Sequence, residues 1–290
     1  MILNAITWDV DPILIHFGDG GIRWYGLLWA IGLYLCWIVN GRMYKRENCP
    51  KEWIDQLFFW MAAGVIIGAR IGHCWFYEWH DVTDPTLANY CLNMDISTEP
   101  WHLFGWTFNY RNPYLEHPLL LLKIWEGGLA SHGGAIGLII AAILLNKYKF
   151  KRYPQFQTSW IWILDRLCVG VCFTAFLIRL GNLMNSEIYG APTDLPWGFI
   201  FVRNGEDFAR HPAQLYEAIA YLIIFIIGWF IYKKRSTLVG TGFFFGYCLA
   251  TIFIFRFFVE FCKEVQVDFE QGMMLDMGQW LSIPFIVLGV

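Results

Sequence analysis

Six stretches of this chain are long and apolar enough to cross a hydrocarbon layer, and no other feature restricts its fold as strongly. A bilayer core of about 30 Å takes about 20 mostly apolar residues at 1.5 Å rise each. The runs are Trp24 to Val39, Leu57 to Tyr77, Leu129 to Leu145, Trp160 to Leu180, Gln214 to Tyr232 and Leu238 to Phe261. A shorter run, Trp280 to Val290, reads as a seventh helix left incomplete at the end of the chain. The expected fold class is an all-α integral membrane protein with about seven transmembrane helices, forming one polytopic domain over residues 1–290. Composition agrees, at 57% apolar and 16% charged, against roughly 45–50% and about 25% in soluble domains. The net charge of −3 gives no basic excess of the kind that nucleic acid attracts.

Lys and Arg stay on the cytoplasmic side of short loops. Segments Asn40 to Trp53, Asn146 to Ser159 and Lys233 to Thr237 hold four, four and three of them, and the alternate segments hold six in total. This places the amino terminus outside and the carboxyl terminus in the cytoplasm. Asp9, Asp11 and Asp19 interrupt any short apolar region, so no cleavable signal peptide is expected. Residues 78–118 read as a small external subdomain and 183–212 as a second external loop. The cysteines lie mostly within spans and show neither a disulfide framework nor metal-type spacing. The chain shows no internal repeat of the transporter kind.

Four Arg remain inside the spans: Arg70, Arg166, Arg179 and Arg256. Each costs about 2.5–3.5 kcal/mol at mid-membrane, so each needs a partner or a function. Counted from the cytoplasmic ends, Arg70, Arg256 and Arg179 lie roughly 20, 26 and 28 Å up, all in the outer half. Arg166 falls near the cytoplasmic end beside Asp165 and reads as a snorkelling interfacial residue. His132 lies about 21 Å above the inner end of its own span. There Ser131-His132-Gly133-Gly134 opens an apolar helix, whose unpaired N–H groups suit an anion. Arg256 and Glu260 are spaced as an i,i+4 pair, so a salt bridge is the alternative to a ligand site there. Several guanidinium groups at the outer leaflet match the phosphate of a phospholipid. Gly64, Gly68 and Gly72, with Gly242 and Gly246, form small-xxx-small faces for helix packing.

The stretch Arg179-Leu180-Gly181-Asn182-Leu183-Met184-Asn185-Ser186-Glu187-Ile188-Tyr189-Gly190 closely resembles the signature of the prolipoprotein diacylglyceryl transferases, bacterial plasma-membrane enzymes. The resemblance covers nearly the whole chain. It includes Arg23-Trp24-Tyr25-Gly26, Gly68-Ala69-Arg70-Ile71-Gly72 and Gly127-Gly128-Leu129-Ala130-Ser131-His132-Gly133-Gly134. Further along come Arg210-His211-Pro212-Ala213-Gln214-Leu215-Tyr216-Glu217, Phe255-Arg256-Phe257-Phe258-Val259-Glu260-Phe261 and Met277-Gly278-Gln279-Trp280-Leu281-Ser282-Ile283-Pro284.

The resemblance implies a reaction. The thiol of the lipobox cysteine in a prolipoprotein signal peptide attacks the glyceryl carbon of phosphatidylglycerol that bears the phosphate, giving a thioether and glycerol phosphate. This is the first step of bacterial lipoprotein maturation, performed in the plasma (inner) membrane with the active site toward the outer leaflet. His132 is the candidate base, and Arg179 and Arg256 are the candidate stabilisers of the leaving phosphate. Tyr25, Asn182 and Glu187 are expected to hold the headgroup or orient the cysteine. With Arg70, Gly133, Gly134, Gly190 and Glu260, the last orienting Arg256, they complete the substrate-binding set. Arg210 and His211 are assigned to anchoring a loop. No metal, nucleotide or other cofactor is implied, and the other contacts are membrane lipids.

Three features depart from the family pattern: a longer outer insertion between Tyr77 and His132, a shorter stretch from Gly190 to Arg210, and Lys263 where an Arg is familiar. The rival reading is a membrane transporter for an anionic lipid or solute. It predicts polar residues along a full path, whereas the inner halves of the second, fifth and sixth spans are nearly free of ionisable groups.

Overall fold

The computed structural model describes residues 5–18, 20–84, 99–103, 106–123, 130–263 and 275–290. Among them lie eight α-helices: α1 Trp24–Arg46, α2 Glu52–Phe76, α3 Pro113–Glu116, α4 Ser131–Tyr148, α5 Trp160–Met184, α6 Ala213–Lys234, α7 Phe243–Glu260 and α8 Met277–Gly289. In hydrocarbon each backbone N–H and C=O has to be satisfied within its own segment, which is why the apolar runs fold as helices. All but α3 and α8 are long and apolar enough to span a membrane, and α8 is a shorter apolar helix over the expected seventh run. With 13 residues, α8 reaches only about 20 Å.

The helices run past the apolar stretches into polar ends. Lys45 and Arg46 lie in the last turn of α1, Lys147 in that of α4, and Lys233 and Lys234 in that of α6. Cations there complement the negative end of the helix dipole. By contrast α7 starts late, at Phe243, because Gly240 and Gly242 hold φ of +93° and +91°. Gly242 is therefore an N-cap residue and not part of a helix face.

The chain divides into two compact units, Met1–Ile54 with Ile161–Val290, and Asp55–Trp160. In the first, α5 is the most enclosed span, with 61% of its apolar window buried. Val39 and Met43 of α1, Val169 and Cys172 of α5, Ala220, Tyr221 and Ile224 of α6, and Phe244 and Cys248 of α7 form one core. Gly32 lets α1 approach α5, where Thr174 donates its hydroxyl to the Gly32 carbonyl at 2.9 Å. The carbonyl of Gly289 lies 2.6 Å from an ideal β-carbon at Gly246, so α8 packs closely on α7. Outside the bundle, β1 (Ile6–Trp8) pairs in parallel with the later strand Phe199–Phe201, and β2 (Ile13–Phe17) pairs antiparallel with β3 (Gly20–Arg23).

One end of this unit is tied by Asp165 and Arg166. Arg166 is a correction to the snorkelling reading: it is 1% exposed. Its guanidinium is ion-paired with Glu47, lies 3.4 Å from the Trp162 ring centroid, and donates to the Trp162 carbonyl at 2.7 Å. Asp165 accepts the backbone N–H groups of Gly240, Gly242 and Phe245 at 2.7–2.9 Å, capping α7.

In the second unit, Gly64, Gly68 and Gly72 of α2 face Gly133 and Gly137 of α4. An ideal β-carbon at Gly72 would lie 2.7 Å from Gly133 Cα, and one at Gly68 2.7 Å from Gly137 Cα. The predicted external segment contributes short antiparallel pairs: β4 (His80–Asp81) with β7 (Tyr110–Arg111), and β5 (Trp101–Leu103) with β6 (Trp106–Phe108). Asn112 ties it to α2 by donating to the Cys74 carbonyl at 2.7 Å. The Trp125 to Leu129 part of the predicted helix-breaking segment lies outside the described residues.

Candidate active site

In the first unit, Arg179 arrives on the last turns of α5, where the apolar run gives way to Asn182 and the following loop. Its Nε lies 2.7 Å from Oε2 of Glu217, and its Nη1 donates to Asn182 Oδ1 at 3.3 Å. Asn182 then donates to Glu187 Oε1 at 2.8 Å, as does Asn185 at 3.3 Å. On the other side of Glu217, Lys263 Nζ lies 3.6 Å from Oε1 and donates to Glu260 Oε2 at 3.1 Å. Glu260, Lys263, Glu217, Arg179, Asn182 and Glu187 are thus linked in one chain, by ion pairs on either side of Glu217 and by hydrogen bonds at its two ends.

The carboxylate at its centre is fully buried on α6, and a buried ion persists only when paired. Sequence reasoning gave neither Glu217, quoted only within a motif, nor Lys263, noted only as a departure, a place in the site. Glu217 stands four residues into an apolar helix, and the test applied to the intramembrane Arg would have found it had carboxylates been included.

Arg256 is half-buried on α7 and makes no hydrogen bond or ion pair among the described residues. The anticipated bridge to Glu260 is absent, because Glu260 is engaged by Lys263. Tyr221 of α6 lies within electrostatic reach of Glu217, Arg179 and Arg256. Tyr25 packs on Gly181, where an ideal β-carbon would sit 2.9 Å from its ring. The loop from Asn185 to Gly190 is held in a demanding conformation, with Ser186 and Ile188 at φ of 52° and 60°. Such residues persist where their surroundings overdetermine them. Here Gln214 donates to the Glu187 carbonyl and Asn204 to that of Ser186, both at 2.8 Å. Gly190 is pressed against the Cys262 carbonyl and His211, leaving no room for a β-carbon.

The second unit carries the remaining expected residues. His132 is exposed in the first turn of α4, whose N-cap Ala130 supplies no side-chain cap. Gly133 and Gly134 serve packing on α2, Gly133 against Gly68 and Gly72 and Gly134 against Ala69 and Val65. Arg70 is 3% exposed. It donates to the carbonyls of Leu121 and Leu120 at 3.2 and 3.1 Å and lies over the Tyr114 ring, so its charge anchors the turn Pro118–Leu122.

Six helices long and apolar enough to span a membrane, and in the first unit a chain of paired charges beside an arginine with no hydrogen bond or ion pair among the described residues, define a polytopic membrane protein. Residues 12–290 match the family model described as prolipoprotein diacylglyceryl transferase. The chain is 43% identical over all 290 residues to the phosphatidylglycerol–prolipoprotein diacylglyceryl transferase of Bacteroides fragilis, covering 94% of that protein. It is 38% identical to that of Tolumonas auensis over 98% of this chain and 95% of the relative. For Porphyromonas gingivalis the identity is 39%, over 98% of this chain and 92% of the relative. The chain belongs to the prolipoprotein diacylglyceryl transferase family.

Proposed function

We propose that the lipobox cysteine of a prolipoprotein signal peptide attacks phosphatidylglycerol at a site formed by Arg179, Arg256, Asn182, Glu187 and Tyr25, with His132 as base. The protein is a transferase that moves the diacylglyceryl group of phosphatidylglycerol to prolipoproteins. In the step, a C–S bond forms at the glyceryl carbon and the C–O bond to phosphate breaks. The electron pair leaves on the phosphate oxygen, and the thiol proton passes to the exposed imidazole of His132. A free thiol of pKa about 8.5 needs such a base or a positive field at neutral pH. The lipid phosphate gains negative charge as it leaves, and a guanidinium already in place stabilises that charge without reorganising.

The observation that carries this reading is the pairing of a rigidly held Arg179 with an uncommitted Arg256 in a chain that matches the family over nearly its full length. The basic last turns of α1 and α6 support cytoplasmic ends for those helices, with the amino terminus outside and the active site open to the outer leaflet of the bacterial plasma membrane. The test is incubation of the purified chain with phosphatidylglycerol and a lipobox peptide, followed by mass analysis. A diacylglyceryl thioether is expected. Arg179→Ala should abolish it and His132→Asn should leave part of it. Full activity in Arg179→Ala refutes the phosphate role, and lipid flux without peptide modification returns the transporter reading.

A further inference from the structure

His211 and Tyr216 border the charged chain without belonging to it. Gly190 donates its N–H to the His211 carbonyl at 2.8 Å, and the His211 N–H donates to the Ala191 carbonyl at 3.0 Å. The backbone of His211 therefore anchors the loop, as its sequence position implies. Its side chain is engaged differently. Trp197 Nε1 donates to the hydroxyl of Tyr216 at 3.0 Å, and that hydroxyl lies 3.2 Å from His211 Nδ1.

The chemistry of the three groups favours one direction for the second bond. An indole N–H only donates, so it occupies a lone pair of the phenol oxygen. The phenol keeps its own proton to donate, and among the described residues His211 Nδ1 is the acceptor within reach. An accepting Nδ1 carries no proton, so the neutral ring carries it on Nε2. Partial burial pushes the His211 pKa down, which keeps the ring neutral. Nε2 has no partner among the described residues, and the ring is half-buried beside Gly190.

We propose that His211 is a substrate-binding residue, locked by Trp197 and Tyr216 in the Nε2–H tautomer so that Nε2 donates to an oxygen of the phosphatidylglycerol headgroup. The assignment rests on the diacylglyceryl-transfer reading above and separates the two histidines chemically. His132 is the proposed base. His211 presents a proton and cannot accept one at Nε2 unless Tyr216 turns its hydroxyl away.

Two substitutions distinguish a substrate donor from a structural anchor. Asparagine at 211 reproduces the Nδ1 position and keeps the Tyr216 contact, whereas glutamine reaches the Nε2 position and keeps the donor. With the full chain, phosphatidylglycerol micelles and a cysteine peptide, His211→Asn should raise KM for the lipid about tenfold. Its kcat should change by about threefold at most, and His211→Gln should restore most of the KM. The reverse order, or wild-type KM in both variants, overturns the proposal. Nitrogen NMR of the chain labelled at histidine gives a readout independent of catalysis, with His211→Asn identifying the signal. The Nε2–H tautomer is expected, giving way to a mixture in Tyr216→Phe, and an Nδ1–H tautomer in the unsubstituted chain overturns the relay. Absence of transfer by the unsubstituted chain overturns the functional reading and the assigned ligand, while the tautomer spectrum still decides the relay.

Discussion

Replacing Glu217 by glutamine tests whether the buried carboxylate organises the site. Glu217 offers one oxygen to Arg179 at 2.7 Å and the other to Lys263 at 3.6 Å. Glutamine keeps the shape but has a single oxygen, so one of the two cations must face an NH2 group. At 2.7 Å the gross attraction to Arg179 is about 6 kcal/mol for an effective dielectric of about 20. Desolvation of both ions offsets much of this, yet removing one partner of a buried pair costs about 3–5 kcal/mol because the other charge stays behind. Arg179 retains Asn182 Oδ1 at 3.3 Å, a weaker acceptor. If about 3 kcal/mol of this loss falls on the transition state, kcat/KM drops roughly 150-fold. The drop should appear mainly in kcat, because the uncommitted Arg256 still attracts the lipid phosphate. The assay is initial-rate transfer from phosphatidylglycerol to a lipobox peptide, with thermal unfolding in the same detergent. Wild-type kcat with an unchanged thermal midpoint in Glu217→Gln refutes the argument.

Three other outcomes follow from the geometry. Gly133→Ala brings a β-carbon within 2.8 Å of Gly72 Cα, against about 3.5–4.0 Å for comfortable carbon contacts. It should therefore lower stability by about 1–3 kcal/mol. Gly26→Ala meets nothing within 4 Å and should cost nothing in the same thermal scan; equal behaviour of the two variants refutes the packing account. Asp165→Asn leaves one oxygen for the backbone N–H groups of Gly240, Gly242 and Phe245. A lower thermal midpoint is expected, with a loss of about 0.5–2 kcal/mol, and an unchanged midpoint dismisses the cap. Burial pushes the Cys49 thiol up to about 11. The neutral thiol is thus the form the fold favours, and its contribution to stability, present below the ordinary value, is lost as pH rises through about 11. Site-resolved alkylation of Cys49 should rise over the same range, and rapid labelling at pH 8 contradicts its burial.

The spans were legible because length and hydropathy report the thickness of the hydrocarbon layer. Their ends were less so, since a helix does not stop where apolarity stops. Arg46 and Met184 extend α1 and α5 beyond the apolar runs. The opposite error arises at Leu238, where the apolar sequence continues but positive φ at Gly240 and Gly242 delays the helix. Arg166 was misread because its partner, Glu47, is 119 residues away, and no local spacing encodes that pairing. At the candidate site, Arg179, Asn182 and Glu187 were visible as a cluster along the chain. Glu217 and Lys263 complete it from α6 and from beyond α7, joined only by the fold. Arg70 shows the converse. Its intramembrane position marked it correctly as a charge in need of partners, and those partners include the carbonyls of Leu120 and Leu121.

The distribution of these partners bears on how the proposed reaction is divided between the two arginines. A guanidinium in the membrane with no counter-charge destabilises the protein whenever substrate is absent. Arg179 avoids this through Glu217, which also fixes its direction, and that pairing reduces the net field it presents to a substrate. Arg256 has no such partner among the described residues, so its field on an arriving anion is undiminished. Phosphatidylglycerol brings one negative charge, and its phosphate acquires a second as the C–O bond breaks. The increment is what catalysis must stabilise, because interactions equal in ground and transition states do not raise kcat. In the proposed step Arg179, held by Glu217 and Asn182, would supply geometry at no cost of reorganisation. In the proposed step Arg256 would supply uncompensated charge that interacts more strongly as the phosphate charge grows. A single arginine cannot combine both properties, because the carboxylate that orients it also cancels its charge.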